Sequence, residues 1–167
     1  MALDQIAAWY PRLFRTALRL TRNPEDAADM TQQAFCNAIR RWDHFDGHCL
    51  PGTWLHRILV NCIRDWARRR KVRAAGPLDE GRAVAADLDL PVDRLDREEQ
   101  CGHLRRSIGE LPDALRESFL LTLIDGYTYE ETAQILLVPV GTIATRVHQA
   151  RKRIREAMGR AYPEERR

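Results

Sequence analysis

Apolar residues recur at helical spacing along most of this 167-residue chain. Ile6, Tyr10, Leu13, Phe14, Ala17 and Leu18 share one face, which predicts a helix from Ile6 to Leu20, ending near Thr21. Asn23 then offers an N-cap, Pro24 fits the first helical position, and Glu25 and Asp26 suit the positive end of a helix dipole. A second helix follows from there to about Trp42. The polar, Gly-containing run Asp43 to Leu50 predicts a loop, and Pro51 opens a third helix. Its apolar stripe is Trp54, Leu55, Ile58, Leu59, Cys62, Ile63 and Trp66, and their spacing gives both tryptophans a core role.

From about Arg73 to Pro91 no period is sustained, and Ala, Gly, Pro and Asp dominate, which predicts a linker. Periodicity resumes with a charged helix over Val92–Gly109. Pro112 starts another, carrying Leu115, Phe119, Leu120, Leu123 and Ile124 before Gly126 stops it. Thr128-Tyr129-Glu130-Glu131 is a capping box that opens a short helix to about Leu136. Leu137-Val138-Pro139 reads as a turn and Val140–Gly159 as a final basic helix. No strand alternation persists, so the expected fold is all-α: two small helical domains, 1–73 and 92–167, joined by a linker over 74–91.

Charge sharpens this division. The net charge is only +3, but the cations are bunched. Arg64, Arg68, Arg69, Arg70, Lys71 and Arg73 form one cluster; Arg146, Arg151, Lys152, Arg153, Arg155 and Arg160 form another. Asp79, Glu80, Asp87, Asp89, Asp93, Asp96, Glu98 and Glu99 gather between them. Two positive surfaces able to meet a phosphate backbone are therefore hidden in a modest total. No stretch approaches the roughly 20 apolar residues of a membrane span, and Met1–Trp9 lacks the features of a signal peptide, so a cytoplasmic protein is expected. Cys36, Cys49, Cys62 and Cys101 contain no C-x-x-C pair; Cys36 and Cys62 are expected as small apolar residues on buried helix faces.

A short capped helix, a tight turn and a longer basic helix make a helix-turn-helix, whose second helix is shaped for the major groove. Its start, Gly141-Thr142-Ile143-Ala144-Thr145-Arg146, would point at base edges and phosphates, with Arg151, Lys152 and Arg155 farther along. Small side chains at the entry permit close approach, and hydroxyl and amide donors can contact bases or backbone.

Here the sequence resembles the extracytoplasmic-function sigma factors of bacterial RNA polymerase. In the first half the matching text is Leu18-Arg19-Leu20-Thr21-Arg22-Asn23-Pro24-Glu25-Asp26-Ala27-Ala28-Asp29, Gln32, Phe35, Arg40-Arg41-Trp42, Phe45-Asp46 and Trp54-Leu55-His56-Arg57-Ile58 through Asn61 to Asp65. In the second half it is Leu111-Pro112, Arg116-Glu117, Gly126 to Glu131, Ala133, Leu136, Val138 to Thr142, Arg146 and Ala150-Arg151.

The resemblance implies a first domain that docks on core RNA polymerase and opens the −10 element, and a second that binds the −35 element as duplex. It makes Asp26, Asp29, Gln32, Gln33, Arg40, Arg41 and Trp42 the polymerase-binding residues. The loop His44–Gly52, with His44, Phe45 and Asp46, is the candidate for capturing an unstacked base, and Asn61, Arg64, Asp65 and Arg68 for contacting melted or upstream DNA. On the final helix it implies −35 contacts from Thr142, Ala144, Thr145, Arg146, His148, Gln149 and Arg151. An anti-sigma factor is the expected inhibitor, as for many relatives. Four departures stand out. Leu137 replaces the usual turn Gly, so a turn with φ > 0 would be strained unless the turn is altered or Leu137 packs. Ala144 and Thr145 replace a basic residue and Ser. Where His148 and Gln149 stand, basic or aromatic residues are common. Gln33 replaces an acidic residue.

Three other classes are weaker readings. His44, His48, Cys49, His56 and His103 include good zinc ligands, but their spacing matches no closed tetrahedral site, so no metal or other cofactor is expected. A free-standing DNA-binding regulator would leave the first half unexplained. No Gly-rich phosphate loop or nucleophile elbow is present, so no catalytic residue and no enzyme activity is expected.

Overall fold

The computed structural model describes residues 6–74 and 95–161, with side chains over 6–72 and 99–161. The expected linker, apart from Ala74, lies outside the described residues, as does the expected helix start over 92–94. Among the described residues every regular element is helical, and the chain divides into two compact units.

The first unit holds α1 (Tyr10–Thr21), α2 (Pro24–Arg40) and α3 (Pro51–Ala74). The single helix expected from Ile6 is broken: residues 6 and 7 are helical, a turn follows, and α1 begins at Tyr10. Pro11 explains the break, since it cannot donate to the carbonyl one turn back and is tolerated only in a first turn. α1 ends where Arg22 turns left-handed (φ 60°) and donates its backbone N–H to the Leu18 carbonyl at 2.8 Å. Asn23 then caps α2 as its position predicts, Oδ1 accepting from the amides of Glu25 (2.8 Å) and Asp26 (3.1 Å).

The buried face of α2 is made of small residues, Ala27, Thr31, Ala34 and Ala38, which lets α1 and α3 pack closely on it. From α1 come Leu13, Ala17 and Leu20, and from α3 Leu55, Leu59 and Ile63. Cys36 is exposed, contrary to expectation. It stands two residues from both Ala34 and Ala38, about 200° around the helix from each, and so on the opposite side. Cys62 is half-buried; the Asn37 side-chain amide donates to its sulfur at 3.3 Å, and burial raises the thiol pKa. Trp54 is buried as expected, whereas Trp66 is half-covered, with the Arg70 guanidinium 5.3 Å from its ring centre.

His56 is fully buried between α1 and the first turn of α3. Its Nδ1 lies 2.9 Å from the Gly52 carbonyl and its Nε2 3.3 Å from Thr16 Oγ1, while the Trp9 ring meets it edge-on at 6.4 Å. Trp9 also presses on Gly52, where an added Cβ would lie 2.3 Å from the indole. Gly52→Ala is therefore expected to displace Trp9 and cost about 2 kcal/mol; equilibrium urea unfolding followed by tryptophan fluorescence checks this.

The second unit holds α4 (Leu95–Gly109), α5 (Asp113–Phe119), the first turn of α6 (Tyr129–Leu136) and α7 (Val140–Ala161). α7 packs on α4 and α5 through Ile143, Val147, Ala150 and Ile154. The Arg116 guanidinium ties the α4–α5 corner, donating to the carbonyls of Gly109 (3.2 Å) and Leu111 (3.1 Å) and pairing with Asp113 at 2.6 Å. A π-helical turn over Leu120–Ile124 prolongs α5, with the Asp125 amide bonded to the Leu120 carbonyl at 2.9 Å. That wider turn rotates the apolar stripe: Leu120, Leu121 and Thr122 are buried, while Leu123 is exposed and Ile124 only half-buried, against the expected packing of both. Gly126 (φ 76°) closes the segment.

Candidate nucleic-acid interface

Thr128 and Glu131 form the expected reciprocal cap at the start of α6: the Glu131 amide donates to Thr128 Oγ1 at 3.1 Å and the Thr128 amide to Glu131 Oε2 at 2.8 Å. α6 ends with the Val138 amide bonded to the Ala133 carbonyl at 3.1 Å, the long bond of a Schellman motif. Leu137 occupies the left-handed position (φ 56°) and is 64% exposed. The turn usual for Gly is thus kept, and Leu137 does not pack to offset its strain. Leu137→Gly is expected to raise stability by about 1 kcal/mol, read as a higher urea midpoint followed by circular dichroism.

On α7 the buried residues Ile143, Val147, Ala150 and Ile154 turn the other side outward. Ala144, Thr145, His148, Gln149 and Arg151 are exposed, as are Lys152 and Arg155; Thr142 and Arg146 are half-exposed. Thr145 Oγ1 donates to the Gly141 carbonyl at 2.9 Å. Arg146 Nη1 is shielded from solvent and has no hydrogen-bond partner among the described residues.

In the first unit, Asn61, Asp65 and Arg68 are exposed along α3 and Arg64 is half-buried. Asp65 and Arg68 form an ion pair at 3.1 Å, which holds the guanidinium along the helix. The preceding loop starts with a 3-10 turn over Trp42–His44. Phe45 is half-buried against the rings of Trp42 (5.3 Å) and Trp54 (5.2 Å). His44, Asp46 and His48 are exposed; Asp46 Oδ1 accepts from the His48 amide at 3.1 Å across Gly47 (φ 74°). Phe45 therefore anchors the loop on the aromatic cluster, leaving His44 and Asp46 outward. Burial raises the Cys49 thiol pKa, with Arg57 pulling down and Asp46 pushing up. Among the described residues no three of His, Cys, Asp and Glu come together to hold a metal ion.

Asp29, Gln32, Gln33, Arg40 and Arg41 are exposed on or just past α2, and Asp26 and Trp42 are half-exposed. Asp26 pairs with Arg70 of α3 at 3.4 Å, a contact the sequence pattern did not suggest because 44 residues separate the partners. Cys36 is exposed on the same helix as Asp29, Gln32, Gln33 and Arg40.

Two helical units, the second with an exposed basic helix after a capped one, define an all-α protein with a helix-turn-helix. The family model for sigma-70 region 2 matches residues 5–73 and that for sigma-70 region 4 matches residues 102–154. The chain is 34% identical over 155 residues to the extracytoplasmic-function sigma factor SigE of Mycolicibacterium smegmatis, covering 89% of this chain and 58% of that protein. It is 30% identical over 163 residues to SigW of Bacillus subtilis, covering 93% and 87%. The sigma factor RpoE of Bartonella quintana, solved in complex with the anti-sigma factor NepR, superposes with a TM-score of 0.76 at 25% identity, covering 93% of this chain and 94% of that one. This chain belongs to the extracytoplasmic-function subfamily of the sigma-70 family of RNA polymerase sigma factors. No described helix is long and apolar enough to cross a membrane.

Proposed function

We propose that the chain is an alternative sigma factor: it binds core RNA polymerase in the cytoplasm, directs initiation at a restricted set of promoters in a stress or environmental response, and is held in check by an anti-sigma factor. The observation that carries this reading is the joint match of both units, in order, to the two sigma-70 regions across nearly the whole of SigW-like length. In this reading residues 1–73 form the polymerase-docking and promoter-opening domain, 74–91 the linker and 92–167 the −35-binding domain. Asp26, Asp29, Gln32, Gln33, Arg40, Arg41 and Trp42 meet the polymerase. His44, Phe45, Asp46, Asn61, Arg64, Asp65 and Arg68 serve the −10 element, with Phe45 acting as a support for the loop. Thr142, Ala144, Thr145, Arg146, His148, Gln149 and Arg151 face the −35 duplex. Bond-making belongs to the polymerase, and the chain itself is not an enzyme.

Run-off transcription with core polymerase, the full chain and a pool of promoter fragments tests the proposal. Initiation from a discrete subset is the expected result. No initiation, with DNA binding by the chain alone retained, would replace it with a free-standing regulator.

A further inference from the structure

The first two turns of α7 present an unusual surface for a helix that meets DNA. Val140, Gly141, Ala144 and Thr145 are all exposed there, and none carries a long polar side chain. Val140 is 40% exposed despite being apolar, and a Cβ added at Gly141 would meet nothing within 4 Å, so the approach to this surface is open. Thr145 has spent its hydroxyl hydrogen on the Gly141 carbonyl at 2.9 Å. What it can still offer a neighbour is a methyl group and the oxygen lone pairs. Toward the C-terminal side the same helix becomes polar and cationic, with exposed His148, Gln149, Arg151 and Lys152.

The major groove distinguishes base pairs by donors and acceptors, and thymine additionally by its 5-methyl group. Guanine is best read by a forked or ammonium donor, and Val140, Gly141, Ala144 and Thr145 supply none. A methyl-lined surface followed by cations that can hold phosphates suits a groove in which the nearest group is itself a methyl. We infer that Val140, Ala144 and Thr145 form an apolar contact for the 5-methyl group of thymine in duplex DNA, so that this helix selects an A·T pair at the position its first turns reach. The inference rests on the reading of α7 as the duplex-reading helix.

The test uses the full chain with core polymerase and a promoter recovered from the run-off pool. Thymines in the upstream duplex are replaced one at a time by uracil, which differs only in lacking the methyl group, and binding of the complex is measured. Uracil at one or two positions is expected to weaken binding by about fourfold per methyl lost. Thr145→Ser keeps the hydroxyl and removes the methyl, so its complex is expected to lose that discrimination at one of those positions. Equal binding of thymine and uracil at every position would overturn the inference and leave the sigma-factor reading intact. So would a uracil penalty that survives both Thr145→Ser and Ala144→Gly. If no promoter in the pool initiates but the chain alone binds duplex, the sigma-factor reading falls and the same substitutions in that duplex test this inference; if the chain binds no duplex at all, both fall.

Discussion

Lowering the pH from 7 to 4 is expected to remove about 3 kcal/mol from the stability of the first unit through His56 alone. The imidazole is fully buried, and loss of hydration lowers its pKa from 6.5 to about 4; the nearby Arg12 charge acts the same way and the Gly52 carbonyl opposes both. The folded form therefore keeps His56 neutral where the unfolded chain would already bind a proton. Between those two values the unfolded state holds more protons, so stability rises with pH. The loss sets in as the pH falls through 6.5, reaches about 1 kcal/mol by pH 5.5 and levels off once the pH is well below 4. Trp9, Trp42, Trp54 and Trp66 are the chain's four tryptophans and all lie in the first half, so tryptophan fluorescence during urea unfolding follows this unit. His56→Gln cannot titrate. The difference in unfolding free energy between the two proteins should change by that amount across the window. A constant difference would mean that His56 is not held neutral.

The same residue shows where sequence reading stops. His56 stood among the metal-type residues because imidazole is a good ligand in any exposed setting, and nothing in the order of residues revealed that Trp9 and Thr16 close over it. Features made by neighbours in the chain were legible: the Asn23 cap and the Thr128–Glu131 box each depend on a few consecutive side chains, whereas the tension at Leu137 was implied only by the resemblance. The face of a helix was legible where large apolar residues marked it, as on α3. It was not where the buried residues are alanines, which is why Cys36 was put on the wrong side of α2. Leu123 and Ile124 failed for a different cause: a 3.6-residue period was assumed across a π-helical turn. For the candidate site, the exposure of the α7 residues could be inferred from the buried stripe that opposes them. The packing of Phe45 onto Trp42 and Trp54 could not, because it depends on how the 3-10 turn brings the loop back to α3.

Arg146→Ala is expected to weaken binding of the −35 duplex by about tenfold to a hundredfold, without loss of fold stability. Arg146 stands on α7 one residue before the buried Val147, and its Nη1 is shielded yet has no acceptor among the described residues. A donor that finds no acceptor on its own fold gains most from one that arrives from outside the chain. A DNA phosphate or a guanine edge supplies one once the side chain swings outward, and the release of a condensed counterion adds to the gain. The variant should therefore unfold at an unchanged or slightly higher urea concentration, while its complex with duplex DNA dissociates faster and shows a shallower dependence on salt, by about one unit in the logarithmic slope if the contact is to a phosphate. Fluorescence anisotropy at several salt concentrations separates the two kinds of contact, since loss of a guanine contact lowers affinity for one sequence and loss of a phosphate contact lowers it for all. Unchanged affinity at every salt concentration would remove Arg146 from the interface.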